Sequence, residues 1–236
     1  NSFILSDASN LLELGQTVFD ESQLTSFHIT KKLRYTNQSF NGLSNLSTFT
    51  VDNENEYYSV ENDVLYNKDK TELVKYPNKK TNTTYIMPNS VKKVGHQALS
   101  NENIENLTFS NNLETFGEYN EMPNLKTVNF NNWKVKRLCN AFFKCLVTEI
   151  TLPEGLERIE GQAFWWNEKL KTVNLPSTIT YVEYNRPFAD CRVLDTFNFA
   201  GTMEQWKATG KLKFEHDVSL YFINCSDGKI GGLIKD

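Results

Sequence analysis

One phrase recurs along this chain at nearly constant spacing, and it limits the possible folds more than any other feature. Its clearest copy is Leu170-Lys171-Thr172-Val173-Asn174-Leu175-Pro176, and Val147-Thr148-Glu149-Ile150-Thr151-Leu152-Pro153 stands 23 residues before it. Sliding the phrase in both directions finds nine anchors: Phe3, Phe27, Phe49, Tyr85, Leu107, Val128, Ile150, Val173 and Phe197. The steps between them are 24, 22, 36, 22, 21, 22, 23 and 24 residues. A unit this short cannot bury its own apolar face. It must stack on its neighbours, so the chain is expected to form a solenoid in which distance in sequence becomes distance in space.

The spacing lies in the leucine-rich-repeat range, where each unit supplies one short strand and a return segment. Alternation in Thr172-Val173-Asn174-Leu175 sends Val173 and Leu175 inward and the intervening residues outward, as a strand requires. The fold expected is an α/β-type repeat solenoid: parallel short strands on the concave face, irregular or short helical returns, and one inserted β-hairpin. The hairpin accounts for the 36-residue step. About fourteen residues exceed a normal repeat there, and two apolar runs flank Asn67-Lys68-Asp69-Lys70, as a hairpin turn would be flanked. The chain reads as a single solenoid over residues 1–236, with the insert at about 53–77 and a C-terminal cap at about 200–236.

The return half of the unit carries Leu156, Ile159, Ala163 and Phe164, and Cys145 and Cys191 follow Phe142 and Phe188 by three residues. This pattern resembles the BspA-like leucine-rich repeats of bacterial surface and secreted proteins. The segment from Tyr58-Ser59-Val60 to Tyr76-Pro77 resembles an insert recurrent in that family, as does the ending Gly201-Thr202-Met203-Glu204-Gln205-Trp206 with Asn224-Cys225-Ser226-Asp227-Gly228. The resemblance extends over essentially the whole chain. It departs locally, where Leu99 replaces an aromatic, Asn120 to Pro123 replace Ala-Phe, and Asn167 stands where Cys is common, so packing is expected to differ at those points. The resemblance implies an extracellular or cell-surface protein of the adhesin kind, with host matrix or another cell as partner.

Composition agrees with an ordered chain. With 39% hydrophobic and 23% charged residues, 236 residues suffice for a core. A net charge of -4 gives no general attraction to nucleic acid or to anionic membranes. No apolar run reaches the ~20 residues of a membrane helix. Asn1 to Asp7 lacks the features of a signal peptide and the first repeat, Phe3 to Ser22, lacks an amphipathic cap, so trimming of an N-terminal segment is expected, against continuation into another domain. Trp206, Phe214, Val218, Leu220, Phe222 and Ile223 are expected to cover the last coil, with turns at Gly201 and Gly210.

Catalysis is not expected, nor is any metal or cofactor. His28, His96 and His216 lie in different repeats and cannot converge, and no HExxH, GxSxG, P-loop or dinucleotide fingerprint is present. The four cysteines form no CxxC pair; Cys145 and Cys191 read as core thiols, against a disulfide or ligand role. Two surfaces remain for recognising an extracellular protein or glycan. The first is the outward face of the strands, where Thr127, Asn129, Glu149, Thr151, Thr172, Asn174, Thr196 and Asn198 would form polar ladders; the competing reading is that threonine simply suits a strand. The second is an aromatic edge of Trp133, Phe143, Trp165 and Trp166, against which stands plain packing between repeats. A structural spacer or oligomerisation unit presenting another domain is the alternative function.

Overall fold

The computed structural model describes residues 2–3, 10–16, 18–36, 38–183, 187–209 and 221–233. All nine anchors fall in strands. β1 (Ser2–Phe3), β2 (Ser26–Ile29) and β3 (Thr48–Val51) pair in parallel with Phe3, Phe27 and Phe49 opposite one another. The long step that follows holds β4 (Tyr58–Glu61), β5 (Val64–Asn67) and β6 (Glu72–Lys75), each antiparallel to the next. β7 (Thr84–Ile86) restarts the phrase and β8 (Lys93–Val94) lies in its return; β9 (Asn106–Thr108) and β10 (Thr115–Phe116) repeat this arrangement, and β11 (Thr127–Asn129) stacks on β9.

The last repeats run through β12 (Arg137–Cys139), β13 (Glu149–Thr151), β14 (Arg158–Glu160), β15 (Thr172–Leu175), β16 (Tyr181–Val182) and β17 (Thr196–Phe199). The odd-numbered strands form one parallel sheet and the even-numbered ones another. A short helix α1 (Met203–Ala208) follows, then β18 (Tyr221–Cys225), parallel to β17, and β19 (Gly228–Leu233), antiparallel to β18. The result is a β-solenoid of about eight turns with almost no helix.

The returns differ from the irregular or short helical segments expected. They carry a second ladder of short strands, β6-β8-β10 and β12-β14-β16. The cause is local: Arg158-Ile159-Glu160 alternates exposed, buried and half-buried, a period of two that suits a strand and not a helix. Proline separates the two ladders. Pro88, Pro153 and Pro176 stand just past the first-ladder strands, lack an N–H for strand pairing, and accept through their carbonyls from Val91, Leu156 and Ile179 to close a tight turn.

Stacked phenylalanines form the interior. Phe142, Phe164 and Phe188 come from successive returns, with ring centroids 5.6 and 5.2 Å apart and planes inclined by 12° and 2°. Burying each such ring contributes about 1.5–3 kcal/mol, before the conformational entropy of ordering it. The core has two parts, which meet at β5: Leu65 packs with the N-terminal repeats, while Val64 and Tyr66 pack with the remaining ones. One strand thus serves as a shared wall, because its alternate side chains point to opposite faces.

Buried asparagines close the backbone accounts where the chain turns. Asn55 donates to the carbonyls of Thr30 and Leu33 and accepts from the amides of Tyr57 and Tyr58. Asn101 serves the same function a little further on, donating to Pro77, Asn78 and Lys80 and accepting from Asn103 and Ile104. Asn167 bonds Phe142, Phe164 and Cys145. A buried amide is retained only where it satisfies such groups. At the C-terminal end Trp206 is buried against Phe199, with centroids 5.2 Å apart, and Ile223 is buried. Phe222, expected to cover the last coil, instead points outward. Ile4 to Ser6 of the first copy, and Gly210, Phe214, Val218, Leu220 and His216, lie outside the described residues.

Candidate recognition surfaces

The outward residues of the first ladder are all half-buried or exposed, and register places them in rows. Glu149, Thr172, Thr196 and Phe222 are opposite one another in one row, and Thr151, Asn174, Asn198 and Asn224 in the next. The second row is a continuous hydrogen-bonded chain. Asn224 donates to Asn198 Oδ1 at 2.7 Å, Asn198 donates to Asn174 Oδ1 at 2.7 Å, and Asn174 donates to Thr151 Oγ1 at 2.8 Å and Glu149 Oε1 at 2.7 Å. Upstream, Thr127 donates to Asn106 at 2.6 Å, whereas Asn129 accepts from the backbone of Asn131. In the N-terminal sheet His28 and Thr50 lie 2.8 Å apart.

The sequence offers no large anchor in these rows, yet the structure adds one. Phe222 is 38% exposed at the end of the first row, and Lys229 Nζ sits 3.9 Å from its ring centroid. Only the register of β18 on β17 brings Phe222 into line, and that strand carries no copy of the Leu-x-x-Val phrase from which register was read.

The aromatic edge is three residues and not four. Trp133 is 3% exposed, enclosed by Phe109, Phe116 and Phe130, and so belongs to the core. Its place just past Phe130 puts it on the inner side of the turn. Phe143 and Trp165 stack with centroids 5.0 Å apart, Trp166 lies 5.5 Å from Trp165, and Trp166 is 37% exposed. Both indole N–H groups are engaged, Trp165 with Asp190 at 2.8 Å and Trp166 with Glu168 at 2.9 Å. Lys144 bridges the cluster, its Nζ 4.8 Å from the Phe143 centroid and 4.6 Å from that of Trp166, within cation–π range.

The backbone explains why this edge projects. Lys144, Trp166 and Asp190 occupy one station in successive returns, and all three have left-handed φ angles of 52°, 61° and 58°. For a bulky residue this conformation is costly, about 1 kcal/mol or more.

The second ladder carries charge. Glu160 bonds both Arg137 and Arg158, and Arg158 lies over the Tyr181 ring at 4.3 Å. Burial opposes ionisation of Glu160, but the two arginines outweigh it and hold the carboxyl below its ordinary value. Cys139 borders this cleft; burial and Glu118 push its thiol up, away from the reactive thiolate. All four cysteines are free. Cys145 and Cys191 are buried, and burial raises both thiols, Cys191 to about 12. His28 and His96 lie in separate sheets' repeats. Among the described residues no group of three or more His, Cys, Asp and Glu is placed to hold a metal, and no helix is long and apolar enough to cross a membrane.

Stacked parallel strands, proline-closed turns and a phenylalanine interior define a leucine-rich-repeat β-solenoid. The family model described as "BspA type Leucine rich repeat region" matches six copies, over residues 2–86, 78–139 and 92–210. The chain belongs to the BspA-type leucine-rich-repeat family. Comparison with curated proteins finds no match. Among solved structures, a leucine rich cell surface protein from Faecalibacterium prausnitzii A2-165 is similar at 24% identity and a TM-score of 0.77, covering 86% of this chain and 55% of its own. The pneumococcal vaccine antigen PcpA is similar at 18% identity and 0.76, over 88% of this chain and 54% of its own. A leucine-rich repeat protein from Eubacterium ventriosum ATCC 27560 follows at 22% and 0.63, over 95% and 65%. The chain therefore spans just over half the length of the first two structures; at these identities the likeness is one of fold.

Proposed function

We propose that this chain is a non-catalytic recognition module of an extracellular or cell-surface protein, binding a protein or glycan through exposed residues of its repeats. In this reading residues 1–236 are one solenoid, the segment at about 53–77 is an insert, the residues from about 200 onward are a cap, and the first ladder lines the concave face. The observation that carries the proposal is the exposed Trp166 with Phe143, Trp165 and Lys144, a preassembled aromatic and cationic patch of the composition that binding hot spots favour. Membership of the family, and a structural neighbour described as a cell surface protein, support it. The ladder of Thr127, Asn129, Glu149, Thr151, Thr172, Asn174, Thr196 and Asn198, ending on Phe222, is the second surface.

One observation favours the spacer alternative for the ladder itself. Asn174 and Asn198 spend their amides on each other and on Glu149, Thr151 and Asn224, which leaves fewer polar groups for a ligand. A binding screen against extracellular-matrix proteins and glycans tests the proposal. Native chain is compared with Trp165→Ala/Trp166→Ala and with Thr151→Arg/Asn174→Arg. Loss of binding in the first pair alone assigns the edge, and in the second alone the ladder. Absence of native binding to both panels at high micromolar concentration overturns the recognition reading.

A further inference from the structure

The first ladder is interrupted twice, between β3 and β7 and between β11 and β13, and only the first break contains the extra strands β4 and β5. β3 and β7 belong to different sheets, and the long step between them holds the strands apart. A cavity of about 550 Å³ lies beside the β3–β7 break, within the size range of small-ligand sites. Its walls come from the β4–β5 turn, from β5, from Tyr76 just past β6, and from β7.

The wall carries more hydroxyl donors than the protein uses. Tyr66 and Tyr85 hydroxyls are 3.0 Å apart, so one of the two donates to the other and the second proton is left over. The Tyr76 hydroxyl is buried with no hydrogen-bond partner among the described residues, although its ring packs 4.7 Å from that of Tyr85. Burial pushes Tyr66 and Tyr76 up to about 12, so both stay neutral donors at physiological pH. An unsatisfied buried hydroxyl costs stability, which makes three tyrosines here an expensive choice over phenylalanine.

The mouth is polar without carrying a free positive charge. Lys80 pairs with Asp63 at 2.9 Å, Glu61 also lines the cavity, and Asn82 stands exposed at the edge. An anion gains little from such a rim. Ile86, 70% exposed, and Pro88 add apolar surface. Neutral acceptor and donor oxygens on an aliphatic ring match this lining.

We propose that the cavity beside the β3–β7 break in the ladder binds a neutral sugar unit, with the Tyr76 hydroxyl and the Tyr66–Tyr85 pair donating to its oxygens and Asp63, Lys80 and Asn82 bonding it at the rim. This site shares no residue with the aromatic edge or with the ladder positions from Thr127 to Asn198, and it rests on the recognition reading only in assigning a glycan as ligand.

The test titrates the native chain with methyl glycosides of glucose, galactose, mannose and N-acetylglucosamine, followed by ligand-observed saturation-transfer NMR and calorimetry. At least one glycoside is expected to bind with a millimolar-range dissociation constant. Tyr76→Phe is expected to weaken that binding about fivefold or more, because it removes a donor whose loss leaves a sugar oxygen unpaired. It should also leave the thermal midpoint equal or higher, since no protein partner is lost. Asn82→Ala, on the exposed rim, weakens binding without touching the core, and Tyr35→Phe, on an exposed tyrosine elsewhere, leaves it unchanged. The site is overturned if no glycoside binds the native chain, or if Tyr76→Phe and Asn82→Ala both bind as the native chain does. Glycoside binding lost instead in the Trp165→Ala/Trp166→Ala pair refutes this site while leaving the recognition reading standing; absence from the matrix and glycan panels refutes that reading itself.

Discussion

Asn198 and Asn174 stand opposite each other on β17 and β15, and the Asn198 amide donates to Asn174 Oδ1 at 2.7 Å. Asn224 makes the same bond to Asn198, so Asn198 and Asn174 each both donate and accept along the stack. The arrangement is a consequence of period: residues one repeat apart meet at strand spacing, and identical side chains can pair. Asn198→Ala breaks two of these bonds at a half-buried position. The expected loss is about 1–2 kcal/mol, read from the denaturation midpoint, whereas a change below the error of the measurement would show the chain of amides to be energetically idle.

Asn167 makes a heavier contribution because its partners are backbone groups with no access to water. Its side chain accepts from the Cys145 amide at 2.6 Å and donates to the carbonyls of Phe142 and Phe164, both at 2.8 Å. Asn167→Ala leaves the Cys145 amide and the Phe142 carbonyl unpaired and the Phe164 carbonyl with the Cys191 thiol alone, and is expected to cost about 3 kcal/mol. Asn167→Cys should cost less. Cys191 holds the equivalent station one repeat later, and its Sγ lies 3.1 Å from the Phe164 carbonyl. Equal losses in the two variants would refute the idea that the station selects for a carbonyl-seeking side chain.

These two residues mark where the fold can be read from sequence and where reading stops. The anchors announce themselves because buried apolar residues must recur once per coil, and Phe27, Leu107 and Val173 fall in strands at the expected spacing. Asn167 reads only as a departure from the pattern, because sequence spacing does not reveal which backbone groups a turn leaves unpaired. Trp133 reads from sequence as an edge residue for a similar reason: an aromatic in a return can face either way, and only the positions of Phe109 and Phe130 in adjacent coils decide it. Phe222 and Lys229 were invisible as a pair because β19 folds back antiparallel and brings Lys229 beside β18.

Asp63 ties the long step to the repeats on both sides. Its carboxylate accepts from Thr48 Oγ1 on β3 at 2.8 Å and from Lys80 Nζ after β6 at 2.9 Å. The Lys80 bond first, then the Thr48 bond, hold the Asp63 carboxyl below its ordinary value. The folded state therefore favours the ionised form, and the resulting stability is present above the unfolded-state pKa and lost as pH falls through the folded one. Asp63→Asn should lower the thermal midpoint at neutral pH, with the gap to the native chain closing in strong acid. A gap that stays constant with pH would assign the effect to packing instead of charge.

Lys75 presents the opposite case, a cation with no counter-ion. It is 1% exposed, makes no ion pair among the described residues, and donates only to the Gln97 carbonyl at 2.8 Å. Burial lowers its pKa from the ordinary 10.5 to about 7. Between these values the unfolded chain binds more protons than the folded one, so stability rises with pH across that window and falls toward neutrality. The full swing is of order 5 kcal/mol for so buried a group. Above pH 10 the trend reverses, because burial also raises Tyr66, Tyr76 and Tyr85, and deprotonating them favours the unfolded chain. The native chain should thus be most stable near pH 9–10. Lys75→Met keeps the aliphatic stem, loses the ammonium and leaves the Gln97 carbonyl unpaired at a cost of about 1–3 kcal/mol. Its stability relative to the native chain should be greatest below pH 7 and decline steadily toward pH 10. Urea unfolding across that range measures the difference directly, and parallel pH profiles for the two chains would show that Lys75 stays protonated in the fold.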